Sequence, residues 1–521
     1  MYTYTLPDHN SDVKLVVFLT LLAAAAAAQA PTVTKVLNSG IGDTAFAPLS
    51  IVYIYGNFPA GLPKDFTVTV GGRTGFVTVA NSTGYITAVI PADAPLGMQP
   101  LVVSYRGNAS TAYPIPLRQY APEFQTTTVV PVTTEGPKFP LASYYPFAHQ
   151  DVTPVTLGAP AAPGEHLLSL ISGAGPTNPP IKLGGINNFS PLAVQPVITI
   201  AGLPAPVERA GSSGASIEVD FVVPNNAPLG FDQAILTVAG VPSNIITLPV
   251  ATRPVVTSVL SGASFKSPGT VAPGSIISIF GIGFGPKDNL LAFPATNVNG
   301  TSVLFDKTPA PIFALASLEG QINALVPYEL PTSGTVDLTL NVFADTSVVT
   351  RLNLAPAVPA IFFFTDPTVS SRRNAAALIP NTAWLAMPRS MATAMGIPTD
   401  CTGLSKLSTC AQPPRGGDVV QLFVTGLGKA TPKADPLGKV LATGSVAPAD
   451  GNPLYLTIAT PLVKIGGMPA TVQYSGIAPG FAGLYQVNVQ IPLGVQPGDD
   501  VPVEISMPGS ISDTATIAIS N

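Results

Sequence analysis

Histidine is nearly missing from this chain: there are three in 521 residues, His9, His149 and His166. Metal centres and general acid–base catalysis lean on histidine, so both are starved of their commonest side chain. Tryptophan occurs once and cysteine twice. Charged residues are 10% of the chain, where about 25% is usual. The formal charge of −5 holds no basic excess to neutralise phosphates, which excludes nucleic acid as a partner class. Beyond the first thirty residues no apolar run reaches the ~18 residues of a membrane-crossing helix. What is abundant is the opposite of helical. The 57 prolines and 48 glycines are about a fifth of the chain, against roughly 12% ordinarily. A hydrophobic content of 46% is ample for cores and excludes disorder. The composition predicts an all-β, turn-rich protein.

Lys14 precedes an apolar run, Leu15 to Ala28, with the length of a secretory h-region and too short to span a bilayer comfortably. Ala26-Ala27-Ala28 satisfies the A-x-A cleavage pattern, so residues 1–28 read as a signal peptide cut between Ala28 and Gln29. Cleavage after Ala30 would leave Pro31 next to the cut, which peptidases dislike. Asp8 and Asp12 are foreign to such a signal, and Val13 is the expected start of translation. In an exported chain, Cys401 and Cys410, nine positions apart, read as a local disulfide across a loop. Zinc would want two more ligands nearby, and a redox pair would sit closer together.

Four stretches carry the same landmarks in the same order. Each opens with a β-rich run ending at Gly56, Gly173, Gly281 or Gly426. An apolar residue, a small one and glycine follow, ending at Gly72, Gly202, Gly300 and Gly467. Alternating strands then end at Pro91, Pro224, Pro327 and Pro492, with turn glycines at Gly97, Gly230, Gly334 and Gly498. Short strands of period two between Gly and Pro turns predict β-sandwiches. The expected modules are 31–122, 123–252 with an N-terminal insert, 253–358, and 359–521 with a cysteine-bearing insert. The inserts lie at 125–162 and 363–415. PAPVER near Pro206 matches MPATVQY near Pro469, so the chain reads as two tandem copies of a two-module unit joined near Thr252 to Pro254. Only Trp384 to Met395 has helical propensity, and Pro388 limits it to a turn or two.

At these landmarks the modules resemble immunoglobulin-like IPT/TIG domains, most closely at Gly56-Asn57-Phe58 and at Gly281 to Gly285. The stretch from about Val255 to Ser520 resembles the repeated C-terminal domain of exported Solibacter-type acidobacterial proteins. It does so through SGASF (261–265), VAPGSIISIFG (271–281), QINALVP (321–327), FVTGLG (423–428) and KIGGMPATVQYSGIAPGFAGLYQVNVQIP (464–492). The resemblance implies a β-sandwich and an envelope or secreted location, and no reaction.

Chemistry is thinly written. G-I-G-F-G at Gly281 to Gly285 lacks the following helix that a dinucleotide site needs and reads as a sandwich turn. Gly211-Ser212-Ser213-Gly214 falls short of G-x-S-x-G, and a triad would have to recruit His149 or His166, the latter expected at a sheet edge. Asp499-Asp500 reads as a solvated turn, too few oxygens for calcium. No catalytic, cofactor or metal residues are assigned. Aromatics remain: Tyr144, Tyr145 and Phe147 in the first insert, able to stack on sugar or peptide or to cover a sheet edge, and Phe481 and Tyr485 in a loop of the fourth module. Phe481 is expected to pack on the third module, with an exposed aromatic tip for a ligand or neighbouring chain as the alternative. The expectation is an exported, non-catalytic structural or adhesive protein with an envelope, glycan or protein partner. A glycan- or peptide-binding protein is the alternative; a secreted hydrolase and an outer-membrane barrel rank below it.

Overall fold

A computed structural model describes residues 30–39, 44–81, 84–125, 146–184, 188–214, 216–266, 269–285, 289–436, 438–512 and 514–521. Within them the chain is strands and turns, with one α-helix, Arg389–Ala394, starting directly after Pro388. Alternation decides which face is buried. In Gly334–Val342 the side chains of Val336, Leu338, Leu340 and Val342 enter a core while Asp337 and Asn341 stay less buried on the other face, as period-two geometry requires.

The same pairing recurs four times. The strand that opens each set of landmarks lies antiparallel to the strand that ends near proline: Ile51–Asn57 with Tyr85–Val89, His166–Ser172 with Ile217–Val222, Ile276–Ile282 with Gln321–Leu325, and Val419–Thr425 with Tyr485–Gln490. In the facing sheet a long strand is flanked on both sides. Gly97–Tyr105 lies between Phe66–Val70 and Tyr113–Leu117, and Gly230–Val238 between Val197–Ile200 and Ile246–Val250. Gly334–Val342 lies between Thr301–Phe305 and Thr350–Leu354, and Gly498–Met507 between Leu462–Ile465 and Ala515–Ile519. These are tandem immunoglobulin-like sandwiches, each burying the inner faces of two sheets.

The prolines stop the ladder where it has run out of partners. In every sandwich the residue before proline makes the last bond: Ile90 to Ser50, Val223 to Glu165, Val326 to Ser275 and Ile491 to Asp418. Proline has no N–H to continue with. Register separates the modules into two kinds. In the first and third the residue just before the landmark glycine opposes the one six before proline (Tyr55 with Tyr85, Phe280 with Gln321). In the second and fourth it is the residue three before the glycine (Leu170 with Glu218, Phe423 with Gln486). This two-residue shift is what two copies of a two-module unit would show.

The landmark glycines are there for closeness. A Cβ on Gly56 would stand 1.8 Å from the Thr32 carbonyl oxygen, on Gly173 2.0 Å from that of Ala121, on Gly281 1.9 Å from that of Val255, and on Gly426 1.9 Å from that of Val358. The glycines of the next landmark serve φ instead: Gly71 and Gly72, and Gly466 and Gly467, adopt positive φ in two-residue hairpins, the combination such turns need. Asn299 and Gly300 likewise adopt positive φ between Val298 and Thr301, but Gly300 stands one strand early. It precedes Thr301–Phe305, and the matching hairpin turns at Asp306 and Lys307 between Phe305 and Thr308. Asp306 tolerates the left-handed conformation well enough to replace glycine there.

The chain forms two compact units. One is Met1–Pro122 with Ser172–Val194 and Ser212–Ser216; the other is Glu123–Ile171, Gln195–Gly211 and Ile217–Asn521. Thr252 to Pro254 lies within the second unit. There Ala251 packs with Leu157 and Ile282 in one small core, which ties the second module's end to the third module. His166 also departs from expectation. Its strand is internal, with Phe147–His149 on one side and Ile217–Val222 on the other.

Candidate functional site

The polar residues singled out in the sequence are spent on structure. His149 Nδ1 meets Glu165 Oε1 at 2.5 Å and its Nε2 faces the Ala159 carbonyl at 3.2 Å, while Glu165 accepts the Ala162 N–H at 2.7 Å. Both ring nitrogens are therefore occupied. His166 pairs with Glu208 at 2.9 Å. Ser212 is fully buried, its hydroxyl held between Ser216 and Gly214. In G-I-G-F-G, Phe284 is buried and its carbonyl accepts the Thr301 hydroxyl at 2.9 Å, a core-filling turn. Asp232 stands apart: it is 6% exposed, its Oδ2 has no hydrogen-bond partner among the described residues, and burial raises its pKa. Among those residues no group of three or more His, Cys, Asp or Glu could hold a metal ion, and no helix is long and apolar enough to cross a membrane.

Asp499 and Asp500 are exposed, but they stand in the strand Gly498–Met507 and not in a turn, and Asp500 is paired. It accepts two bonds from Arg372, at 2.5 and 2.8 Å, and Arg372 reaches the other way to Asp366 at 2.7 Å. Asp366 has a fully buried side chain. Burial opposes its ionisation, but bonds from the Thr368 hydroxyl and N–H, and from Arg372, outweigh it and hold the pKa at about 2. This network fastens the second insert to the strand Gly498–Met507. Cys401 and Cys410 are bridged, with Cα atoms 5.8 Å apart. The insert has its own small core of Met387, Met391, Ala392 and Ala411.

The aromatic candidates divide. Tyr144, Tyr145, Ala28 and Gln29 lie outside the described residues. Phe147 is 2% exposed, 5.1 Å from Phe124 and 5.7 Å from Phe221, on a strand that covers the edge of Leu167–Ser169. It is a core residue and no binding loop. Tyr485 is likewise buried; its hydroxyl donates to the Gly428 carbonyl, and burial raises its pKa well above the ordinary phenol value. A Cβ on Gly274 would stand 2.3 Å from both Tyr485 and Tyr328, so the third and fourth modules interlock at these rings.

Phe481 overturns the packing expectation. Its backbone is tied down, donating to Ala478 and accepting from Ala447, yet the residue is 52% exposed. The loop meets the third module through Gly483, where a Cβ would stand 2.4 Å from Leu325 Cδ1. Replacing Phe481 with alanine should therefore cost less than about 1 kcal/mol, where a buried phenylalanine would cost ~3–5. Thermal unfolding of the variant measures the difference.

Among the described residues, one aromatic cluster was passed over in the sequence. Tyr53, Tyr55 and Tyr85 share the outer face of the first sandwich, above Val52, Ile54 and Ile86 in the core. Ring centroids are 5.7 Å apart for Tyr53–Tyr85, 6.0 Å for Tyr55–Tyr85 and 6.5 Å for Tyr53–Tyr55. The string SIVYIYG carried the signal: bulky residues on both sides of one strand, where a half-buried strand needs them on one.

No family model matches this chain, and no curated protein sequence is similar to it. Among solved structures it is similar to the SGBP-B protein of the mixed-linkage glucan utilization locus of Bacteroides ovatus, solved with a mixed-linkage heptasaccharide, at 12% identity and a TM-score of 0.19, covering 64% of this chain and 72% of that one. The surface glycan-binding protein PbSGBP-B of Prevotella bryantii aligns at 9% identity and a TM-score of 0.16, over 53% of this chain and 57% of its own length. The central fibronectin-III array of RIM-binding protein aligns at 11% identity and a TM-score of 0.23, over 62% of this chain and 95% of that one.

Proposed function

We propose that this chain is an exported, non-catalytic array of immunoglobulin-like modules with a structural or adhesive role in the cell envelope or outside the cell. The observation that carries the reading is where the reactive side chains go. His149, His166 and Ser212 are each engaged by a neighbour that fixes architecture, and no serine is hydrogen-bonded to either histidine among the described contacts. Export is supported by the Cys401–Cys410 bridge, which persists in oxidising compartments, together with the apolar run Leu15 to Ala28. The reading agrees with the exported family that the second half resembles.

Fractionation of expressing cells tests it, followed by N-terminal sequencing and an activity-based serine probe. The expected product lies outside the cytoplasm, begins at Gln29 and stays unlabelled. A cytoplasmic chain retaining Leu15 to Ala28, or a labelled serine, would overturn the proposal.

A further inference from the structure

Two of the three tyrosines of the first module, Tyr53 and Tyr85, are not demanded by its fold. The third module has the same register and puts Ser278, Phe280 and Gln321 where the first has Tyr53, Tyr55 and Tyr85. It fills that face with one buried ring, Phe280, and a polar ladder in which the Ser278 hydroxyl and the Gln321 amide each donate to Asn323 at 2.8 Å. Six residues before the closing proline the other modules carry Glu218, Gln321 and Gln486. Three bulky rings gathered on one outer face therefore ask for a second explanation beyond cross-strand packing.

The chemistry of the face selects among occupants. Lys35 lies opposite Tyr55 in the register and is exposed, which disfavours a cationic ligand on the rings. One lysine on a chain of net charge −5 is too little for a polyanion. An aliphatic protein anchor would find one strongly exposed aliphatic there, Val79 at 43%. Tyrosine combines an apolar ring face with a hydroxyl tip, which complements a molecule with C–H faces and hydroxyl rims. That is a pyranose chain. The rings are inclined to one another by 45°, 50° and 85°, so no two present a common plane. A flat crystalline ribbon cannot lie on all three, whereas a single chain in solution can turn from one to the next.

We propose that the Tyr53–Tyr55–Tyr85 face of the first module binds soluble, uncharged polysaccharide chains. The proposal rests on the non-catalytic reading and supplies its ligand class. The test is affinity electrophoresis of the full mature chain through gels containing soluble β-glucan, xylan or galactomannan, beside a pull-down on crystalline cellulose. Retardation by at least one soluble polysaccharide is expected, with none retained on cellulose. Tyr55→Ala should weaken it roughly tenfold, equal to about 1.4 kcal/mol, with unchanged thermal stability; Tyr55→Phe, which keeps the ring, should stay close to the parent. Tyr85→Gln installs the third module's own residue and gives a second, fold-compatible loss of binding. No retardation by any of the three, undiminished binding in both Tyr55→Ala and Tyr85→Gln, or binding to cellulose alone would overturn the site. Binding lost in Phe481→Ala instead would move it to the fourth module's loop while leaving the exported, non-catalytic reading intact, since that reading fails only on fractionation or probe labelling.

Discussion

Arg372→Ala is expected to destabilise the fourth module by about 3 kcal/mol, at the lower end for breaking a buried ion pair by removing one partner. The reason is Asp366. Its side chain is fully buried, and removing the guanidinium strands a carboxylate that has nowhere to find water. The cost stays at the lower end because the Thr368 hydroxyl, the Thr368 N–H and the Val369 N–H still hold it, at 2.6, 2.7 and 3.2 Å. Asp500→Asn should cost under about 1 kcal/mol, because Asp500 is 57% exposed and solvent screens its pair. The same geometry sets a pH dependence. Asp366 is held at about 2 in the folded chain, below its ordinary value, so its contribution is complete above about pH 5 and is lost as pH falls through 4 towards 2. Urea unfolding between pH 6 and pH 2 should show that loss in the parent and a smaller one in Asp366→Asn. A parent and variant that lose stability in parallel would place the acid sensitivity elsewhere.

Gly426→Ala is expected to cost more still, about 4 kcal/mol. The new Cβ would fall 1.9 Å from the Val358 carbonyl oxygen, and that atom is backbone, with no rotamer to turn aside. Overpacking of this kind costs about 3 kcal/mol at the upper end of its usual range. The left-handed φ of +76° adds about 1–2 kcal/mol for any residue with a Cβ. Gly281→Ala has the close approach without the positive φ and should cost about 3 kcal/mol. Gly467→Ala has the positive φ with nothing within 4 Å and should cost about 1–2 kcal/mol. Calorimetry of the three variants would separate the two effects; equal costs for Gly467→Ala and Gly426→Ala would show that the close approach adds nothing.

Spacing along the chain was enough to read the four repeated sets of strands and turns, though not which strands pair, because the landmark glycines and closing prolines act locally. A proline ends a ladder and a glycine permits a close approach whatever lies elsewhere. The Gly300 landmark was misplaced for the same reason. A two-residue turn can be made by Asp306 and Lys307, and no glycine marks it. The disulfide was legible because nine residues is a short reach. The aromatic sites were not legible. Phe147, Phe481 and Tyr485 look alike as letters, and burial distinguishes a core ring from an exposed one only once the partner strand is in place. The ion pair of Asp500 was not legible because Arg372, 128 residues away, is not visible from its neighbours.

Sequence by itself determined the all-β class and the order of the repeated strands and turns, since alternation, glycine and proline are properties of neighbouring residues. Tertiary structure alone decided which side chains are available. It joined Asp366, Arg372 and Asp500, buried Phe147 and Tyr485, left Phe481 outside, and assembled Tyr53, Tyr55 and Tyr85 on one face. Each of those outcomes depends on contacts between segments far apart in the chain, whose distances no local pattern encodes.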